Sequence, residues 1–442
     1  MTKSLKTADV FGIGRDLPLN YVERKMVDGL LRDSLSRSKH ITIYGSSKQG
    51  KTSLRKECLR DVPHIVIHCS NKWTISELHS AILKQAGYEV TQSTSRAASG
   101  TFKLIATLKA KLMGMSAQGT AEGSMSHQTT TNTAPLELDP EDVNDIKTAL
   151  EGLNAYIVLE DFHYLPIDTQ RDFAVALKAF HEQSDLCFII VGVWLEDSRL
   201  TVHNGDLTGR VISVNADKWS HEELTAVIES GQKLLNIEFT KDFRVKLIES
   251  CLNSVYFLQE TCYRACKRSE VHETQPLLRK IGDGLSVPDI VREVVNQQSA
   301  RYHAFLARFS ESQSDDQIPM TRWVLMPILM SFTSTLGRGL ALSHIQEVLK
   351  LNHSQKEDFD QGALLRTLDS IAAFQVSKSI TPIVLDYDQT SQVLNVVDLG
   401  FLIWLDHNPG RSQLFSLVKL PNPIYATGYI PIGANAQGGS QH

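Results

Sequence analysis

His40-Ile41-Thr42-Ile43-Tyr44-Gly45-Ser46-Ser47-Lys48-Gln49-Gly50-Lys51-Thr52 is the stretch whose reading decides the fold. Its first five residues, β-branched and aromatic, predict a buried strand. Ser53-Leu54-Arg55-Lys56-Glu57-Cys58-Leu59 follows with helical spacing and no breaker. Between them, residues 45–52 satisfy the GxxxxGK[ST] phosphate-loop pattern in the strand–loop–helix context it requires. Gly45 and Gly50 carry no Cβ, so the backbone can close around phosphate oxygens. A helix opening near Lys51 turns its free amides and positive dipole end toward the anion. Ser46, Ser47, Lys48, Gln49 and Ser53 complete the cradle, Lys51 is expected on the β- and γ-phosphates, and the Thr52 hydroxyl on magnesium.

The rest of the chain fits a globular α/β protein. Its 442 residues suffice for two or three domains, and 42% hydrophobic with 21% charged residues is ordinary. A net charge of −5 argues against a constitutive nucleic-acid coat, while leaving room for a local basic patch. No signal-peptide pattern opens the chain and no apolar run approaches the roughly 18 residues of a membrane span, so a cytoplasmic protein without membrane contact is expected. Cys58, Cys69, Cys187, Cys251, Cys262 and Cys266 lack ligand spacing and read as buried small hydrophobes, although Cys262 and Cys266 share a helix face.

Apolar strands near residues 64–69, 155–159 and 186–193 alternate with helices near 74–86 and 169–183. Such strands imply a parallel sheet covered on both faces, the core of a P-loop NTPase. We assign residues 1–217 to this core, with the Ser/Thr/Gly-rich segment 92–136 as a flexible insertion. Residues 218–311 read as a helical lid. Residues 318–410, three helices and a hairpin, read as a C-terminal winged-helix domain. Residues 411–442 read as a loose tail.

The third strand ends in Glu160-Asp161-Phe162-His163. Two carboxylates beside a phosphate loop form the acidic half of an NTPase site. The usual order is Asp then Glu. Here it is inverted, and position favours Glu160 as the magnesium partner and Asp161 as the base. His163 either senses the γ-phosphate or packs beside the sheet. Arg210, before a predicted edge strand, is placed to reach a neighbouring subunit's nucleotide, with Arg199 as the competing residue.

These motifs resemble those of AAA+ ATPases, within them the STAND branch and the origin-recognition initiators. The strings Ser47-Lys48-Gln49-Gly50-Lys51-Thr52 and Leu159-Glu160-Asp161-Phe162-His163-Tyr164-Leu165 are similar still more closely to bacterial standalone ATP-binding proteins. The resemblance implies ATP and Mg2+ as cofactors, hydrolysis that is slow in a lone subunit, and a homo-oligomer formed on ATP binding. Tyr21-Val22-Glu23-Arg24-Lys25 resembles the motif that packs near adenine, which puts Val22 and Arg24 at the base. Gly209-Arg210 is similar to the pair carrying the arginine finger. The lid departs from the pattern, since residues 252–256 show no Gly-x-Pro or sensor arginine. No effector constellation precedes Tyr21 or follows Asp406, which suggests a switch controlling a separately encoded partner protein, in antiviral defence. The alternative is a DNA-binding or DNA-remodelling ATPase that uses the winged helix. Its candidate recognition helix, residues 362–370, has one arginine, and Asp386, Asp388 and Asp398 make the hairpin acidic, so the sequence favours protein contacts.

Overall fold

Strands apolar on both faces must be sandwiched, and the central sheet is. The computed structural model describes residues 4–14, 16–108, 135–197, 199–217, 219–311, 318–353, 360–407 and 411–423. The chain divides into two compact units, Met1–Val294 and Val295–His442. In the first, the strands are β1 (His40–Tyr44), β2 (His64–His68), β3 (Tyr88–Arg96), β4 (Phe102–Leu108), β5 (Leu136–Leu138), β6 (Tyr156–Glu160), β7 (Phe188–Val191), β8 (Val211–Asn215), β9 (Ile237–Phe239) and β10 (Arg279–Ile281). Its helices are α1 (Thr7–Val10), α2 (Val27–Leu35), α3 (Lys51–Cys58), α4 (Ile75–Gln85), α5 (Val143–Ala149), α6 (Ile167–Gln183), α7 (Arg199–His203), α8 (His221–Leu235), α9 (Lys241–Ser250), α10 (Val255–Arg268) and α11 (Val287–Asn296).

The main sheet runs β2-β6-β7-β1-β8 with every pair parallel. Alternate residues face opposite layers. Ile41, Ile43, Val158 and Ile189 pack with Leu31 and Leu54 on one side. Ile157, Leu159, Phe188 and Ile190 pack with Leu78, Ile82, Phe173 and Phe180 on the other. Because all strands point one way, their carboxyl ends line one edge, where such sheets bind ligands.

The segment 92–136 is not the uniformly flexible insertion its composition suggested. β3, β4 and β5 form an antiparallel sheet in the order β3-β4-β5 that reaches into this segment from both ends. Ala106 and Leu138 are buried in the core, and Tyr88, Val90 and Leu104 pack against it. This two-residue alternation is hidden among hydroxyl-rich neighbours. The Gly114–Thr133 part of the insertion lies outside the described residues.

The second unit holds α12 (Ser299–Phe309), α13 (Met320–Met330), α14 (Thr333–Leu336), β11 (Leu340–Ala341), α15 (Leu342–Asn352), α16 (Gln361–Asp369), α17 (Ile371–Ser377), β12 (Leu385–Asp388), β13 (Val393–Val396), α18 (Leu399–His407) and α19 (Arg411–Leu417). Two boundaries move. α12, placed in the lid by sequence, belongs here, because Phe305 meets Phe401 edge-on and Phe309 meets Phe374 likewise. Residues 411–417 of the expected tail are helical, with Leu414 and Phe415 buried and Val418 just beyond them. The hairpin is less acidic than it reads: Asp386 and Asp398 are buried, and Asp398 is paired with Arg301. β13 is flanked by β11 and β12, both antiparallel to it. Among the described residues no helix is long and apolar enough to cross a membrane.

Two buried histidines tie the first unit's layers together. His40 Nε2 donates to the Leu177 carbonyl at 2.9 Å, while the Phe188 amide donates to His40 Nδ1 at 3.2 Å. His79 Nδ1 donates to the Pro140 carbonyl at 2.7 Å. Burial pushes both down to about 4. Each neutral ring therefore stabilises the fold fully above the unfolded value near 6.5, by about 3 kcal/mol. That contribution is lost as pH falls from 6.5 toward 4. Urea unfolding at pH 7.5, 6.0 and 5.0 should show stability falling through this window, and His40→Gln should flatten the slope.

Candidate nucleotide site

The turn out of β1 is fixed by its glycines. Gly45 has φ of +144°, and a Cβ there would lie 2.9 Å from the Asp217 amide nitrogen. Gly50 caps α3 at φ +83° with no side-chain cap on the helix. The first amides of α3 are thereby left for a ligand, as an anion site needs. Lys48, between the glycines, is also left-handed at φ 64°. Lys51 Nζ donates to the carbonyls of Gly45 at 2.9 Å and Ser46 at 2.6 Å. Burial lowers its pKa to about 8, against the opposing pull of Asp217, Glu160 and Asp161. A desolvated ammonium among three carboxylates, held among the described residues by two carbonyls, is a cation prepared for an anion. Thr52 and Ser53 stand in the first turn of α3, with Thr52 exposed.

Several residues that the sequence reading passed over hold this loop. Asp217, just beyond β8, accepts from the Ser46 amide at 3.0 Å and from its hydroxyl at 2.9 Å. Trp219 donates from its indole nitrogen to the Gln49 carbonyl at 3.3 Å. On the lid side, Gln49 bridges a backbone loop: its Nε2 donates to the Asn253 carbonyl and its Oε1 accepts from the Val255 amide, both at 3.4 Å. Lys48 Nζ sits 4.0 Å from the centre of the Tyr256 ring. Residues 253–256, the stretch that lacks the expected sensor arginine, thus meet the phosphate loop directly. No motif marks these partners, because they come from distant segments joined only by folding.

Val22 lies in the irregular segment before α2, half-buried. Arg24 is 1% exposed, donates to the Ala216 carbonyl at 2.7 Å, and lies 4.3 Å from the centre of the Trp219 ring. Its guanidinium is committed to the β8–α8 connector, so it supports the loop from behind instead of standing open to a base.

The acidic pair is split by conformation. Glu160 ends β6, is 4% exposed, and accepts from Arg55 Nε at 2.6 Å. Arg55 lies one helical turn after Lys51 on α3, a spacing that could have pointed to it. Asp161 leaves the strand at φ 59°, which turns its half-exposed side chain outward, 3.8 Å from His68 Nδ1. The two carboxylates are therefore chemically unequal. His163 is buried: the Val193 amide donates to its Nδ1 at 3.2 Å, and its Nε2 has no hydrogen-bond partner among the described residues. Burial, then the Lys51 and Arg199 charges, hold its pKa well below the ordinary value, so the ring is neutral.

The two candidate finger arginines stand at opposite ends of the sheet. Arg199 opens α7 after β7 emerges at the loop edge, and it lies 5.6 Å from the centre of the Trp194 ring. Arg210 precedes β8, whose first residue pairs with His40. It is therefore roughly 20 Å along the strands from Gly45. There it pairs with Glu182 at 2.6 Å and donates to the Asp206 carbonyl. Among the described residues no cluster of three or more His, Cys, Asp or Glu side chains has the arrangement of a metal centre.

No protein-family model matches the chain, and no curated protein does. Among solved structures it is similar to a Walker-type ATPase of Pyrococcus abyssi, with 13% identity, a TM-score of 0.50, and 87% of this chain and 96% of that chain covered. It also matches Orc1 of Aeropyrum pernix, solved with DNA, at 12% identity and a TM-score of 0.41 over 94% of this chain and 100% of that one. A third match is Cdc6p of Pyrobaculum aerophilum, at 11% identity and a TM-score of 0.36 over 94% of this chain and 99% of that chain. At 13% identity the first of these likenesses is one of fold, shared with the Walker-type ATPase.

The loop's backbone strain gives a direct test. Gly45→Ala should destabilise the protein by roughly 1–3 kcal/mol and weaken nucleotide binding, since the new methyl meets the Asp217 backbone. Gly29→Ala, in α2 with open space around it, should be neutral or stabilising by about 0.5–1 kcal/mol. Urea unfolding of both variants checks the contrast.

Proposed function

We propose that the chain binds ATP with magnesium at the β1–α3 loop, hydrolyses it, and acts as a STAND-type oligomeric switch on a separate partner protein. The observation that carries this reading is the uncapped α3 terminus with Lys51 held only by carbonyls, beside Glu160 and Asp161 at the carboxyl edge of a parallel sheet. Ser46, Ser47, Lys48, Gln49, Gly50, Lys51, Thr52 and Ser53 surround the phosphates, and Val22 lies toward the base, with Arg24 bracing the connector behind it. Lys51 exchanges its carbonyl partners for phosphate oxygens. The residues suit magnesium: Thr52 is exposed at the helix start, and Glu160 has one oxygen on Arg55 with no second hydrogen bond among the described residues. Thr52 and Glu160 would hold the ion, which when bound offsets phosphate charge. Asp161, turned out of the strand, polarises the attacking water.

Lys51→Ala should lose ATP affinity in calorimetry, and Asp161→Asn should keep ATP bound while turnover stops. Equal affinity in Lys51→Ala and the parent would refute the site; full turnover in Asp161→Asn would refute the base.

Arg210 cannot reach its own chain's loop from the far end of the sheet, which supports a role across a subunit boundary. Supplied in trans, such an arginine is worth roughly 10³-fold in rate. Specific activity should then rise with protein concentration, and mixing Arg210→Ala with Lys51→Ala subunits should restore part of it. Turnover independent of concentration and unchanged in Arg210→Ala would count against assembly.

The second unit's order of helix, strand, helices and hairpin, with β11 beside β13, supports a winged helix and keeps DNA as the second reading. On α16, however, Arg366 is tied to Asp360, and Leu365 is exposed beside it. Such a face suits a protein partner better than a base edge. DNA binding that falls steeply between 50 and 200 mM salt, as phosphate contacts would require, would reverse this preference.

A further inference from the structure

His163 is the one residue of the acidic loop whose chemistry the proposed turnover leaves unused. It is 3% exposed, and its place is set by topology. β7 lies between β6 and β1 in the sheet. The loop after β6 and the phosphate loop after β1 therefore flank the tip of β7. His163 is pinned over that tip by the Val193 amide, which donates to Nδ1 at 3.2 Å. Gly192 and Val193 bring no polar side chain there. With Nδ1 accepting, the neutral ring carries its proton on Nε2. That nitrogen is buried without a partner among the described residues, and the ring feels the charges of Lys51 and Arg199.

A buried N–H left unbonded weakens the folded state, and an apolar ring of similar size would remove that cost. An anion drawn to Lys51 at the open edge would bring acceptor oxygens toward a ring that already feels the Lys51 charge. We propose that His163 Nε2–H is a donor reserved for the terminal phosphate of a nucleoside triphosphate, so that it distinguishes triphosphate from diphosphate. This rests on the ATP-site reading above. It makes His163 a positioning and discriminating residue and not a base, since its neutral ring offers a proton and its acceptor nitrogen is already used. The hydrogen bond would also report occupancy to β7, through Val193.

The test separates this role from packing. In His163→Phe, urea stability without nucleotide should be equal to or above that of the parent. ADP affinity should stay within about 2-fold. The preference for a non-hydrolysable ATP analogue over ADP should fall by roughly 10-fold, the worth of one hydrogen bond to a charged group. His163→Gln, which restores an N–H donor, should recover part of the preference. An unchanged preference in folded His163→Phe, or an equal loss for both nucleotides, would overturn the proposal. Should the variants not fold, hydrogen exchange at the His163 ring carbon in the unaltered protein decides, read by mass spectrometry. Exchange should be slower with the ATP analogue than with ADP, and equal rates would overturn the proposal. If the parent protein binds neither nucleotide, the ATP-site reading itself falls; if it binds both and His163 is indifferent, only this inference does.

Discussion

The whole arrangement depends on β1 being held in parallel register between β7 and β8. Ile41 pairs with Ile189 on one side and Ile212 on the other, so the strand has no freedom to slide. A one-residue slip would exchange the buried faces of Ile41 and Ile43 with those of Thr42 and Tyr44. With the register fixed, three loops leave the same edge side by side: the phosphate loop, the tip of β7, and the β8–α8 connector. Asp217 can reach Ser46 only because β8 ends level with β1. The site is thus a product of strand register before it is a product of any side chain.

On that platform charge is arranged in opposition. Lys51 and Arg55, one turn apart on α3, face Glu160, Asp161 and Asp217 across the edge. Arg55 is committed to Glu160, and Lys51 is left with carbonyls whose partial charges satisfy it poorly after desolvation. Phosphate is therefore expected to bind by replacing weak partners, not by breaking an ion pair. The difference matters for turnover, because a lysine already paired to a carboxylate would have to surrender that pair at each cycle. Gln49 and Lys48 carry any change in the loop to residues 253–256, where Leu252 and Asn253 are consecutive left-handed residues. Backbone held in that region is strained unless its surroundings fix it.

What the sequence disclosed and what it hid follow one rule. Gly45 to Thr52 and the end of β6 were legible because their chemistry and their local conformation are written in one short stretch. The two apolar layers were legible because parallel strands are unbroken runs. Asp217 and Trp219 were not, since each acts on a residue remote in sequence and nothing in its own neighbourhood signals that, whereas Arg55 carries a signal only in its one-turn spacing from Lys51. The β3–β4 pair was obscured for a different reason. Its alternation uses Ala106 and the tyrosine and valine of β3 among serines and threonines, so composition pointed to disorder where period pointed to strand. Asp386 and Asp398 were misread from charge alone; burial and the Arg301 partner remove them from the surface.

The same strand register separates the two arginines, with Arg199 at the carboxyl edge and Arg210 at the opposite one. A cation to offset charge on a departing phosphoryl must stand beyond the γ-phosphate, outside the cradle that Lys51 and the α3 amides enclose. Arg199 is at the correct end, beside the Trp194 ring, and its charge is felt by His163. Arg210 is at the wrong end for its own nucleotide, and parallel strands allow no local rearrangement that would bring it around. At that opposite edge Arg210 is held by Glu182 and the Asp206 carbonyl. The separation along β8 that keeps Arg210 from its own phosphate loop is the observation on which the proposed action in trans rests.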